Sequence, residues 1–118
     1  MAKIDIKSVK KAGLKALKNN TMQICSEDAC YGSDCANSKT IDGVEYTCVI
    51  GSALSKYTRK KHPNRTVFDF SSRVVNQEDL QTLQTIQQSH DDLVGDIYEG
   101  LITPKQAMTK MKRLLEKL

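Results

Sequence analysis

Apolar side chains recur every three or four residues in three stretches of the 118-residue chain, the mark of helices that each bury one face. The first covers 6–18, where Ile6, Val9, Leu14 and Leu17 alternate with lysines; Ser8 is placed to cap it, and Asn19 and Asn20 end it. The longest starts at Asn76, a good N-cap with Asp79 at its N3 position. It carries Leu80, Leu83, Ile86, His90, Leu93, Val94 and Ile97 to about Glu99. Gly100 supplies a stop, and Thr103 caps a new start with Pro104 at the first helical position. Ala107, Met108, Met111, Leu114, Leu115 and Leu118 then form the last stripe. The short link GLIT predicts antiparallel pairing of these two helices.

Between the first and second stripes the period breaks. Residues 21–39 show none and contain Gly32, Asn37 and several acids, so they read as a loop. In KTIDGVEYTCVIGSAL, Asp42 and Gly43 tolerate the positive φ of a two-residue turn, which predicts a small β-hairpin. Val49, Ile50, Ala53, Leu54 and Tyr57 then share one helical face, predicting a buried helix over 48–58 that ends before His62-Pro63. VFDFSSRVV reads as a short strand or an irregular link. The expected fold is mainly α (α+β), about four helices with a small β-hairpin after the first. It forms one domain over 1–118 with a Cys-containing loop at 21–39, since a chain this short supports one core.

Charge changes this picture more than composition does. The net charge of +4 is distributed in blocks: six lysines against Asp5 in 1–25, and five basic residues with no acid in 56–68. Seven acids stand against Arg73 in 69–99, and five basic residues against Glu116 in 100–118. Such blocks either neutralise each other in the fold or expose separate basic and acidic faces. The basic segments 1–18, 56–65 and 105–117 are thus candidates for nucleic acid or an acidic partner, with Lys56, Arg59, Lys60, Lys61 and Arg65 as the densest group. No apolar run approaches the roughly 18 to 20 residues that span a bilayer, and lysines occupy the place of a signal peptide's apolar stretch. A cytoplasmic protein with no membrane partner is expected.

In a reducing compartment four cysteines favour free thiols or metal ligands over disulfides. Their spacing is CxxxxCxxxxCx12C, with Cys25, Cys30, Cys35 and Cys48 as the candidate metal ligands and His62 as a substitute. Zinc sites usually draw their thiolates from tight CxxC pairs, and iron–sulfur sites that begin CxxxxC continue with CxxC; neither pair is present. The expectation is therefore no cofactor, with zinc as the alternative: a loop that contains thiols and one buried cysteine on a helix.

No phosphate loop, GxSxG or HExxH occurs, and adjacent Asp91 and Asp92 point apart on a helix. His90 falls on an apolar stripe, where a hydrogen-bonded core or interface residue is expected rather than a base. No catalytic residues are assigned. The last two helices carry nearly continuous stripes, so His90, Ile97, Met108 and Met111 are candidates for an interface with a second copy or another protein.

YTCVIGSAL, followed by LQTIQQSHDDL, resembles a group of small phage and prophage proteins with a YCAIGAAL-like sequence after a glycine turn and a later helix ending near a His-Asp or Asp pair. The matching positions are Tyr46, Cys48, Ile50, Gly51, Ala53, Leu54, His90 and Asp91, within about half the chain. The group has no assigned activity, so the resemblance implies no catalytic residue, and the cysteine loop lies outside its pattern. It implies a non-enzymatic accessory protein that binds or inhibits a host protein, such as a defence component, or sequesters a ligand. The alternatives are a nucleic-acid-binding regulator and a small zinc-stabilised domain.

Overall fold

The computed structural model describes residues 3–30, 38–61 and 74–118. Its first element, α1, runs Ile6–Lys18 and is started by Asp5 rather than Ser8. Asp5 has extended backbone and accepts the Ser8 N–H at 2.8 Å, while Ser8 Oγ accepts the Asp5 N–H at 2.8 Å. This reciprocal box satisfies two donors at once, which is why the aspartate takes the cap and the serine the N3 position. Asp79 adds a third bond from far along the chain, its Oδ2 accepting the Ile6 N–H at 3.0 Å. Val9, Gly13, Ala16 and Leu17 form the buried face of α1, and Asn20 ends it in the left-handed region at φ 57°.

The segment after α1 is not the loop expected from its lack of period. Gln23–Cys25 form a 3₁₀ turn and Glu27–Cys30 a single-turn helix, α2. Met22 and Ile24 are fully buried, and Met22 bridges Thr47 of the hairpin. Elements of three or four residues are too short to display a helical repeat, so tertiary burial rather than pattern makes them regular. Residues 31–37 of that segment, with Cys35, lie outside the described residues.

The hairpin forms as expected, β1 Ser38–Ile41 antiparallel to β2 Val44–Thr47 in the register Ser38↔Thr47 to Ile41↔Val44. Asp42 and Gly43 both have positive φ (51° and 80°), the conformation a two-residue hairpin turn needs.

The helix expected over 48–58 is instead two, α3 Val49–Ala53 and α4 Lys56–Lys61. Leu54 between them is extended, with ψ 149°. Ser55 causes the break: its Oγ accepts the Thr58 N–H at 3.2 Å, capping a new helix where a continuous one would need that backbone turned inward. Residues 62–73 lie outside the described residues, including most of VFDFSSRVV together with His62 and Arg65. Beyond that segment, Val75 forms a parallel bridge with Ile4.

Asn76 caps a 3₁₀ turn at Gln77–Asp79, its Oδ1 accepting the Glu78 N–H, and α5 Leu80–Tyr98 continues from it. Gly100, at φ 75°, ends that helix. Thr103 and Gln106 form a capping box around Pro104 to start α6, Pro104–Glu116. The fold is thus mainly helical with one small hairpin after the first helix, with six α-helices among the described residues rather than about four.

Helices α1, α3, α5 and α6 share one contiguous apolar cluster, and α1 packs against both α3 and α6. Gly13 sits where the three meet. A Cβ there would lie 2.8 Å from Leu115 Cδ1 and 3.5 Å from Val49 Cγ2, both on fully buried residues. Gly95, in α5, has nothing among the described residues within 4 Å of the same position. Alanine gains about 1 kcal/mol over glycine in a helix, while overpacking a core costs about 1–3 kcal/mol. Urea denaturation is therefore expected to show Gly13→Ala less stable by about 1 kcal/mol and Gly95→Ala more stable by about 0.5–1 kcal/mol. A stabilised Gly13→Ala would refute the close approach.

Candidate functional site

Three of the four cysteines are described, Cys30 and Cys48 buried and Cys25 half-buried. Cys48 caps α3, its Sγ accepting the Gly51 N–H at 3.1 Å, and burial pushes its thiol up to about 12. Cys30 donates to the Gln23 carbonyl at 3.5 Å. Burial first, then the neighbouring Cys25, raises it to about 11 against the opposing charge of Lys39. Cys25 is also raised by burial. Metal coordination and nucleophilic attack both need a thiolate, which this burial disfavours. Among the described residues no three His, Cys, Asp or Glu side chains are grouped so as to hold a metal ion. Cys25, Cys30 and Cys48 are therefore not brought together as a ligand set.

The two halves of the YTCVIGSAL and SHDDL pattern do meet. Gln87 of α5 accepts the Ile50 N–H at 3.1 Å through Oε1 and donates through Nε2 to Asp91 Oδ1 at 2.8 Å. His90 Nδ1 lies 3.2 Å from the same carboxylate oxygen. A carboxylate only accepts, so Nδ1 carries the hydrogen and, in the neutral ring, Nε2 is a bare acceptor. That Nε2 is buried with no hydrogen-bond partner among the described residues, and the whole residue is inaccessible. The arrangement ties the start of α3 to α5; a base buried this fully reaches no substrate. Gln87, the centre of this tie, was missed because a glutamine on a half-polar helix face carries no distinguishing signal in the sequence. Of the interface candidates, His90, Ile97 and Met111 are core residues, and Met108 is half-buried at a groove.

The basic group of α4 divides in the same way. Lys56, Lys60 and Lys61 are exposed, Lys61 with its Nζ 5.7 Å from the centroid of the Tyr57 ring. Arg59 is committed internally. Its Nη2 donates to Glu45 Oε1 at 2.7 Å and its Nε to Oε2 at 3.4 Å, while Nη1 donates to the carbonyls of Gly51 and Leu54. The guanidinium therefore closes the break between α3 and α4 and fastens it to β2. Burial opposes ionisation of Glu45, but the hydrogen bond and charge of Arg59, helped by Ser38 and Lys56, outweigh it and hold the carboxyl below the usual glutamate range.

Two grooves flank α1. One, of about 580 Å³, opens towards β2 and α3. It is lined by Lys11, Lys15 and Asn19 of α1, by Thr21, Thr47 and Ser52, and is walled by the Arg59–Glu45 pair. The other, of about 520 Å³, lies between α1 and α6, with Leu14, Leu17 and Met108 as its apolar lining and Lys18, Lys105, Thr109, Lys112 and Glu116 as its polar and charged lining. The basic segments 1–18 and 105–117 thus lie side by side, and α4 reaches the first groove through Arg59. The sequence pattern places Leu14 and Met108 in the apolar stripes, whereas the structure leaves them half-buried beside the buried residues Val9, Gly13, Ala16 and Leu17 of α1 and Ala107, Met111 and Leu115 of α6. No helix of the described residues is long and apolar enough to cross a membrane.

Compared with known proteins, the chain matches no family model, no curated protein and no solved structure.

Alkylation at neutral pH, followed by peptide mass spectrometry, is expected to label Cys25 before Cys30 and to reach Cys48 only on unfolding; early labelling of Cys48 would contradict its burial. Glu45→Gln should lower stability by about 1 kcal/mol near pH 7, a charged hydrogen bond discounted for a carboxylate that is partly exposed. Because the folded carboxyl is held low, its contribution is complete above the unfolded value of about 4.3 and is lost as pH falls through the folded value. Wild type and variant should converge in acid denaturation, and a difference that persists at the lowest pH would refute the pairing.

Proposed function

We propose that this protein is a non-enzymatic binding protein that holds an acidic surface of a partner protein along α1. The observation that carries the reading is the polar groove in which Lys11 and Lys15 stand among hydroxyl and amide side chains while its other charges, Arg59 and Glu45, neutralise each other. Among the described residues neither lysine is in an ion pair, so the groove presents uncompensated positive charge beside donors suited to carboxylates. The resemblance of YTCVIGSAL and SHDDL to phage and prophage proteins points to a host protein in the cytoplasm as the partner, with inhibition arising from occupancy of its surface.

The nucleic-acid reading shares the lysines but loses Arg59, whose donors are turned inward to Glu45 and two carbonyls. The two are separated by passing bacterial lysate, with and without nuclease, over immobilised wild type and Lys11→Glu/Lys15→Glu. One stoichiometric protein retained after nuclease by wild type and lost by the variant is the expected result. Retention that disappears with nuclease, or falls steeply with salt on a duplex probe, would replace the protein partner with nucleic acid. Equal retention by both proteins would remove α1 from the site.

A further inference from the structure

We propose that the exposed face of α4 binds single-stranded nucleic acid, one base stacking on Tyr57 while Lys56, Lys60 and Lys61 take the neighbouring phosphates. The inference is independent of the α1 partner site, because it uses neither Lys11 nor Lys15.

Four residues of α4 are exposed, and they form one surface. At about 100° per residue, Lys56, Lys60, Tyr57 and Lys61 follow one another around about 140° of the helix, so the ring stands between ammonium groups on both sides. Tyr57 and Lys60 are three residues apart and Tyr57 and Lys61 four, the spacings that make neighbours on a helix. Lys61 Nζ lies 5.7 Å from the ring centroid, yet Tyr57 is 69% exposed, the most exposed large apolar residue among those described. Thr58 falls outside the arc and is buried.

The charge of this face is not compensated. Among the described residues the ion pairs are Arg59 with Glu45 and His90 with Asp91, and none involves a lysine of α4. Glu45, whose carboxylate feels Lys56, already accepts two donors from Arg59. The face is also held in place before a ligand arrives. Ser55 Oγ accepts the Thr58 N–H and lies 2.9 Å from the Thr58 hydroxyl, while Arg59 fastens the helix to Glu45 and to the Gly51 and Leu54 carbonyls. A ring carried on so fixed a support loses little freedom when it binds.

These features select the ligand. The exposed ring asks for a flat apolar partner, and the lysines ask for anions on either side of it. A membrane-surface helix needs a broad apolar face, whereas the residues beside Tyr57 on this face are lysines. An acidic peptide satisfies the lysines but brings nothing to stack on the ring. A nucleotide strand offers both in alternation, a base for the ring and phosphates for the ammonium groups. The strand must be single, because a duplex keeps its bases stacked on one another and presents no free base face.

Fluorescence anisotropy of the full chain with a dye-labelled oligothymidine of about ten nucleotides, within the usual site size of single-strand binders, tests this. The expected result is saturable binding whose logarithm falls against the logarithm of salt with a slope of about −2, as three phosphate contacts on a single strand require. Tyr57→Ala should weaken binding about tenfold with that slope unchanged, and Tyr57→Phe should keep the wild-type affinity. Binding to a duplex should be indifferent to both changes. Lys60→Gln/Lys61→Gln should reduce the slope to about −0.7, the value for the one contact that remains. All these positions are exposed, so the variants should melt with wild type. Lys11→Glu/Lys15→Glu should leave the effect of Tyr57→Ala intact, so this site and the α1 site fail separately. Absence of binding at low salt, or single-strand binding indifferent to Tyr57→Ala, would overturn the proposal. Displacement of the oligonucleotide by polyglutamate at equal charge would overturn it in favour of an acidic protein.

Discussion

At Gly13 the backbone of α1 lies so close to Leu115 of α6 that a methyl group does not fit without a shift, while Val49 of α3 stands at ordinary contact distance on the other side. That closeness sets the depth of everything around it. With α1 drawn inward, the residues on its two flanks become the walls of grooves instead of the sides of a ridge: Lys11 and Lys15 face the hairpin side, and Leu14 and Lys18 face α6. A bulkier residue at this point would lift the helix and shallow both grooves together, so the packing of the core and the shape of the surface are one constraint.

The short elements are held in another way, by polar ties in place of length. Helices of four to six residues gain little from their own hydrogen bonds, because nucleation uses most of what propagation returns. Here α3 is fixed at its start by the Cys48 cap and the Gln87 bond to Ile50, and at its end by Arg59 on the Gly51 and Leu54 carbonyls. The result is a rigid corner built from residues that carry no strong helical signal.

Legibility in the sequence followed the same division. The long helices α1, α5 and α6, the Asp42-Gly43 turn and the Thr103-Pro104 start were readable because each rests on a local rule: period, positive φ, or a cap. The break at Ser55, the capping of α1 by Asp5 with help from Asp79, and the regular structure at Gln23–Cys30 were not. Each is decided by a partner elsewhere in the chain or by competition between two adequate caps. The site was readable as chemistry but not as place. The lysine blocks were visible, whereas the withdrawal of Arg59 into the fold and the meeting of α1 with α6 required the packing. The cysteines show the reverse, a conspicuous pattern whose described members lie in buried or half-buried positions, Cys25 near Cys30 and Cys48 at the start of α3.

The bridge between Ile4 and Val75 and the bond from Ile6 to Asp79 give α1 a lasting dependence on residues made much later. During synthesis the first helix emerges with its own Asp5 cap but without its final anchor, which arrives only after about seventy further residues have left the ribosome. Contacts so distant in sequence form late and slow the completion of a fold. The lysine-bearing helix α1 thus precedes its anchor in synthesis and is among the last of these elements to be secured, so the nascent chain shows a basic helix before it shows a finished groove.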